Sequence, residues 1–320
     1  MTQAANTAHQ THPVIATLTR GNYVESWHRG SVYVATSDHH EVLTLGSTHS
    51  RMYPRSANKP LQAVGMLRAG AKLDNENLAL SAGSHRGEAQ HIDQVTALLE
   101  SVGLSPNSLA CPAALPANEN ARDAWVRSGR GAEPIAMGCS GKHAAMLATC
   151  VANAWPTSGY LSPVHPLQVA LRDTVERLAG EPVGELTTDG CGAPIFPISL
   201  AGLARGFSRL VDAELGTDER AVADAMRLYP ELVEGSDGDD SRMMAKVEGL
   251  LCKYGADGVQ AAAIAGVGAV AFKVDDGGLR TNVPVLAAAL AQLGVKVPAE
   301  FFTVDVLGGG APVGSISASF

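Results

Sequence analysis

The stretch VQAAAIAGVGAVAFKV, residues 259–274, decides which class of fold the chain can adopt. Its centre, Gly266-Val267-Gly268-Ala269-Val270-Ala271, imitates a dinucleotide-binding turn. That turn needs a helix after the glycines and an acidic residue about 20 positions further on. Neither follows, because Ala269 to Val274 is a second β-prone run. Val259 to Ala265 and Ala269 to Val274 therefore read as the two strands of a hairpin about Gly266-Val267-Gly268, close to Lys253. An amphipathic helix is expected over Val285 to Leu293.

Working back toward the N-terminus, Val14 to Leu18 and Val32 to Ala35 are β-branched runs that read as an early strand pair. Helical spacing of Leu61, Val64 and Leu67 predicts a helix from Ser56 to Gly70, with Ser56 at its start. Leu78 to Ala82 reads as a buried strand, and Gly83-Ser84-His85-Arg86-Gly87 as a turn into a helix from Glu88 to Val102. Cys139-Ser140-Gly141-Lys142-His143 opens an Ala-rich helix to Ala154, and Leu167 to Leu178 repeats the helical pattern. Asp189 and Cys191 fall in a turn, and Gly235 to Asp240 reads as a mobile loop. Strands early and late with helices between them predict an α+β fold, a mostly antiparallel sheet flanked by helices.

A chain of 320 residues with 46% hydrophobic side chains fills a real core. With 32 acidic against 24 basic residues and no Lys/Arg block, it offers nucleic acid and anionic membranes no electrostatic footing. Residues 1–12 read as a flexible tail rather than a signal peptide, and 13–320 as a single domain. No apolar run reaches the roughly 18 residues needed to span a bilayer, so a cytoplasmic protein is expected. Cys111, Cys139, Cys150, Cys191 and Cys252 are odd in number and form no C-x-x-C pair, which predicts reduced thiols.

Three motifs carry chemistry. In Arg55-Ser56-Ala57-Asn58-Lys59, positions three apart on a helix are neighbours, so the Lys59 amine can reach the Ser56 hydroxyl. Such an amine becomes a base when desolvation or neighbouring cations lower its pKa, and Arg55 is a cation that could also hold a carboxylate. Gly83-Ser84-His85 places a second serine in a tight turn. The thiols of Cys139 and Cys191, from separate loops, with Lys142 one helical turn from the first, could gather a soft cation such as zinc or make a cluster of nucleophiles. For each, the bland alternative is a capping serine, a solvated lysine or a buried cysteine. His85 and His91, six apart, lie on different helix faces and make no metal pair.

Taken together and in order, R-S-A-N-K-P (55–60), A-G-S-H (82–85), C-S-G-K-H (139–143), T-D-G-C (188–191) and K-Y-G-A-D (253–257) resemble the Rhizobium-type, or class 3 thermolabile, L-asparaginases. That resemblance implies a β-lactamase/penicillin-binding-protein-like fold, a homodimer and hydrolysis of asparagine to aspartate and ammonia. It implies Ser56 as nucleophile with Lys59, a second Ser84/Lys253 pair, and Arg55 and His143 at the substrate. It also implies metal binding by Cys139, Lys142 and Cys191 with Asp189 beside them, zinc being structural or modulatory and no cofactor being required for the chemistry. A cysteine that some members carry upstream of the second lysine is replaced here near Asp239. S-x-x-K is shared with penicillin-interacting acyl enzymes, but Ser236-Asp237-Gly238 matches only part of S-D-N and no K-T-G occurs. A metal-bound sensor without turnover is the non-enzymatic alternative.

Overall fold

The 259–274 hairpin forms as its sequence dictates: Ala263 pairs with Ala269 and Ala261 with Ala271, antiparallel, about a turn whose Gly266 has φ +69°. In the computed structural model, which describes residues 12–320, the chain begins with strands β1 (Val14–Arg20), β2 (Tyr23–Thr36), β3 (Glu41–Leu45) and β4 (Arg51–Met52). A helical block follows: α1 (Lys59–Arg68), α2 (Asn75–Ala82), α3 (Ala89–Ser101), α4 (Glu119–Arg127), α5 (Ser140–Ala152) and α6 (Pro166–Ala179). Short strands β5 (Thr187–Thr188), β6 (Pro194–Ile195) and β7 (Ile198–Ser199) lead into α7 (Leu200–Val211), α8 (Asp218–Leu228), α9 (Pro230–Val233) and α10 (Asp239–Lys246). The chain returns to sheet through β8 (Leu251–Gly255), β9 (Val259–Ile264) and β10 (Gly268–Val274), then α11 (Asn282–Gln292), β11 (Thr303–Gly308) and β12 (Ala311–Ala318).

The principal sheet is antiparallel in the order β11-β12-β1-β2-β10-β9-β8, with β3 also paired to β2. Residues 30–35 of β2, nearly all of β10 and residues 259–263 of β9 are buried without alternation, so both sheet faces are covered there. Helices α7 and α11 supply that cover, both packing on β2, β9 and β10. The alanines of β9 and β10 fit this arrangement because small side chains let helices approach closely. The fold is therefore α+β, an antiparallel sheet flanked by helices.

Several expectations need correction. Leu78 to Ala82 is the last part of helix α2, capped by Asp74, whose Oδ1 accepts from Asn77 N at 2.8 Å. Ser84 consequently lies after a helix rather than a strand. Gly235 to Asp240 ends in the first turn of α10, where Asp240 is buried, so that end of the segment is fixed by packing. Of the N-terminal tail, residues 1–11 lie outside the described residues, and His12 is held by Asp275 at 2.8 Å and Ser47 at 2.9 Å.

Candidate active site

The cluster is built where α2 ends against the start of α1. Gly83 leaves α2 beneath α9, and a Cβ there would stand 2.6 Å from Val233 O and 2.8 Å from Leu232 O. Only glycine passes, and the next residue is then fixed by Ser84 N donating to Val233 O at 2.7 Å. This turn offers the Gly83 carbonyl and the Ser84 hydroxyl to Lys59, whose buried amine donates to both, the Ser84 Oγ contact being 2.9 Å. Ser56 sits one turn before Lys59 in a 3-10 segment, Arg55–Asn58, that feeds α1, and its carbonyl accepts from Lys59 N. Its half-buried hydroxyl has no hydrogen-bond partner among the described residues, so the Lys59 amine joins Ser84 and not Ser56.

Lys253 enters from β8, wholly buried. Its Nζ donates to Tyr254 O at 2.8 Å, stands 3.6 Å from Asp240 Oδ2 and lies 3.6 Å from the centre of the Tyr254 ring. Burial pulls its pKa down to about 8; the Asp240 carboxylate opposes that shift and the nearby Lys59 cation adds to it. Asp240 is itself fixed, accepting from Tyr254 N at 2.7 Å and Gln260 Nε2 at 2.8 Å. Glu234 accepts from Asp240 N at 2.8 Å, and burial together with the Asp240 charge pushes its carboxyl up to about 7.

Arg55 has a left-handed backbone, φ +50°, and its guanidinium is engaged by two carboxylates: Asp189 Oδ1 at 2.9 Å and Asp257, itself at φ +59°. Asp189 is thereby the link between Arg55 and the thiol cluster. There Lys142 Nζ donates to Cys191 Sγ at 3.2 Å, all three of Cys139, Lys142 and Cys191 being buried. The hydrogen bond from Cys191 and the cations of Lys59 and Lys142 hold the Cys139 thiol well below its ordinary range, against the effect of burial. Sharing that bond, and burial, push Cys191 upward. Two soft sulfurs suit zinc, but no three His, Cys, Asp or Glu side chains converge among the described residues. A metal here would need Lys142 as a ligand, after loss of its proton. His143 is fully buried, its Nδ1 2.7 Å from the Tyr160 hydroxyl, and burial with the cations of Lys142 and Lys59 keeps it neutral.

Sequence reasoning missed Glu234, Asp240 and Gln260. The signal available was weak: an acidic run beside glycines reads as a solvated loop.

The profile described as L-asparaginase II matches residues 16–318. The chain belongs to the L-asparaginase II family. No curated protein sequence matches it significantly. Among solved structures, native Mglu is 13% identical with TM-score 0.45, over 82% of this chain and 63% of that one. Mglu in its tris and glutamate form is 12% identical with TM-score 0.44, over 83% and 58%. The chain thus spans less than two thirds of the Mglu chains. Among the described residues, no helix is long and apolar enough to cross a membrane.

Proposed function

We propose that the protein is an L-asparagine amidohydrolase that works through a serine acyl-enzyme, on a scaffold of the β-lactamase type. The observation that carries this reading is the burial of two lysines, Lys59, whose amine donates to Ser84, and Lys253, close enough to Lys59 for their charges to interact, with Ser56 one turn before Lys59 and unbonded. Ser56 attacks the side-chain amide, its proton passes to the lysine pair, ammonia leaves, and water resolves the ester to aspartate. Lys253, with its pKa near 8, can both take up and release a proton close to neutral pH. Ser84 holds the Lys59 amine in place. Arg55, oriented by Asp189, faces the substrate carboxylate, and His143 is assigned to substrate binding with it. Cys139, Lys142 and Cys191, with Asp189, would hold zinc, which would tie the 189–192 turn to α5. In the same reading the protein is a cytoplasmic homodimer.

A second reading is favoured by the 2.9 Å contact between Lys59 and Ser84: Ser84 is the nucleophile and Ser56 its helper. A coupled ammonia assay with asparagine, glutamine and a chromogenic β-lactam tests both. Ser56→Ala is expected to lower ammonia release from asparagine on the order of a thousandfold, with Ser84→Ala milder. The reverse ranking exchanges the two serines, and turnover of the β-lactam alone, or of nothing, overturns the amidohydrolase reading.

A further inference from the structure

Among the described residues, four that are not glycine have a left-handed backbone, and two of them meet in an ion pair: Arg55 at φ +50°, immediately before Ser56, and Asp257 at φ +59°. Glycine is the relaxed residue in that conformation, so side chains kept at two facing positions point to a use for both. Asp257 stands in the turn between β8 and β9. Gly258, at φ +71°, pins that turn against β10, since a Cβ there would lie 2.7 Å from the Cβ of Val274. The Asp257 side chain is 61% exposed; its Oδ2 accepts from Arg55 Nη1, and its Oδ1 has no hydrogen-bond partner among the described residues.

The other carboxylates of the site are already engaged. Asp189 Oδ1 accepts from Arg55 Nε at 2.9 Å and from Gly190 N at 2.8 Å, and Asp240 is buried and accepts from Tyr254 N and Gln260 Nε2. Lys273, a second cation near Asp257, donates to Val274 O and leaves that carboxylate open. Arg55 Nη2 has no acceptor among the described residues, so its N–H groups remain for an incoming carboxylate. In an α-amino acid the ammonium and the carboxylate share one carbon, so the acceptor for the first must stand beside the donor for the second. Asp257, joined to Arg55, stands there. We propose that Asp257 determines specificity by receiving the α-ammonium group of the substrate while Arg55 holds its α-carboxylate. The inference rests on the amidohydrolase reading and narrows its substrates to amides of free α-amino acids.

Ammonia release from L-asparagine and from succinamate, which is asparagine without its α-amino group, tests this in the full chain. Wild type should favour asparagine in kcat/KM by at least about tenfold, the scale of one charge-assisted hydrogen bond. Asp257→Asn, isosteric and tolerant of the left-handed backbone, should cut that ratio about tenfold, chiefly through a higher KM for asparagine. Asp257→Gly, relaxed at this φ, should repeat the result should the Asn variant fail to fold. A role limited to orienting Arg55 would lower both substrates alike and leave the ratio unchanged, which overturns the proposal, as does a wild type indifferent to the ammonium. Release of ammonia from neither substrate is the failure of the hydrolase reading instead, and calorimetric titration with L-aspartate and succinate, which differ by the same ammonium, then decides. Preference for aspartate that is lost in the variants upholds Asp257 as the ammonium acceptor; no preference, no binding, or an undiminished preference overturns it.

Discussion

Lys253 has no exposed surface, yet among the described residues its only carboxylate neighbour within 4 Å, Asp240, is 3.6 Å away and is shared with Tyr254 N and Gln260. Its pKa near 8 is the outcome of burial working against that carboxylate. Asp240→Asn removes the group that favours the charged amine, so the Lys253 pKa must fall further. The rising limb of ammonia release against pH should move to lower pH, and a limb that stays in place would separate Lys253 from the rate. Glu234 gives the opposite sign in a stability measurement. Its carboxyl is raised from 4.5 to about 7, so the native state holds a proton that the unfolded chain has released. Stability from this group is present below about 4.5 and lost as pH rises through about 7. Glu234→Gln removes that loss, so its Tm relative to wild type should climb between pH 4.5 and 7, as differential scanning calorimetry would read. Lysines and serines were legible from their motifs, but the partnership was not: i,i+3 spacing points Lys59 at Ser56, whereas the Gly83 turn captures the amine.

The 3-10 segment Arg55–Asn58 is held from below by β8, and the contact is backbone on backbone. A Cβ on Gly255 would stand 2.5 Å from Pro54 O and 3.0 Å from Ala57 N, neither of which can yield without moving Ser56. Gly255→Ala should therefore cost about 1–3 kcal/mol in denaturant unfolding. It should also lower the rate of the remaining folded enzyme more than tenfold, since displacement of about an ångström at a reacting group has that scale. Unchanged turnover would mean that the segment has no positioning role. Element type followed the sequence where a turn punctuated the pattern, as in the 259–274 hairpin and the helix opened at Ser140. It failed at Leu78 to Ala82, because a five-residue run, apolar but for Ser81, is too short to show a period and the deciding signal, the Asp74 cap, stands four positions upstream.

Across the whole sheet, burial falls from β2, β10 and β9 toward β11, where only Val306 is fully packed. The far end rests on a small separate cluster of Leu18, Val306 and Ile316, while Lys253 lies on β8 at the opposite edge. Sequence pattern could not show this gradient, because it depends on which strands the helices cover. Two regions joined through a continuous ladder but packed by different clusters should differ in opening free energy. Ile316→Asp places a carboxylate in the small cluster, at a cost on the order of 3 kcal/mol, and should lower Tm and speed amide exchange in β11 and β12. Exchange in β8 to β10 should keep its order, because Cys252, Ala262, Ala271 and Val34 remain in the main core. Below the melting transition, kcat and KM for ammonia release should then match wild type within about twofold, as expected of sites that share no partners. A fall in kcat matching the fall in stability would instead mean that the sheet opens as one unit and carries Lys253 with it.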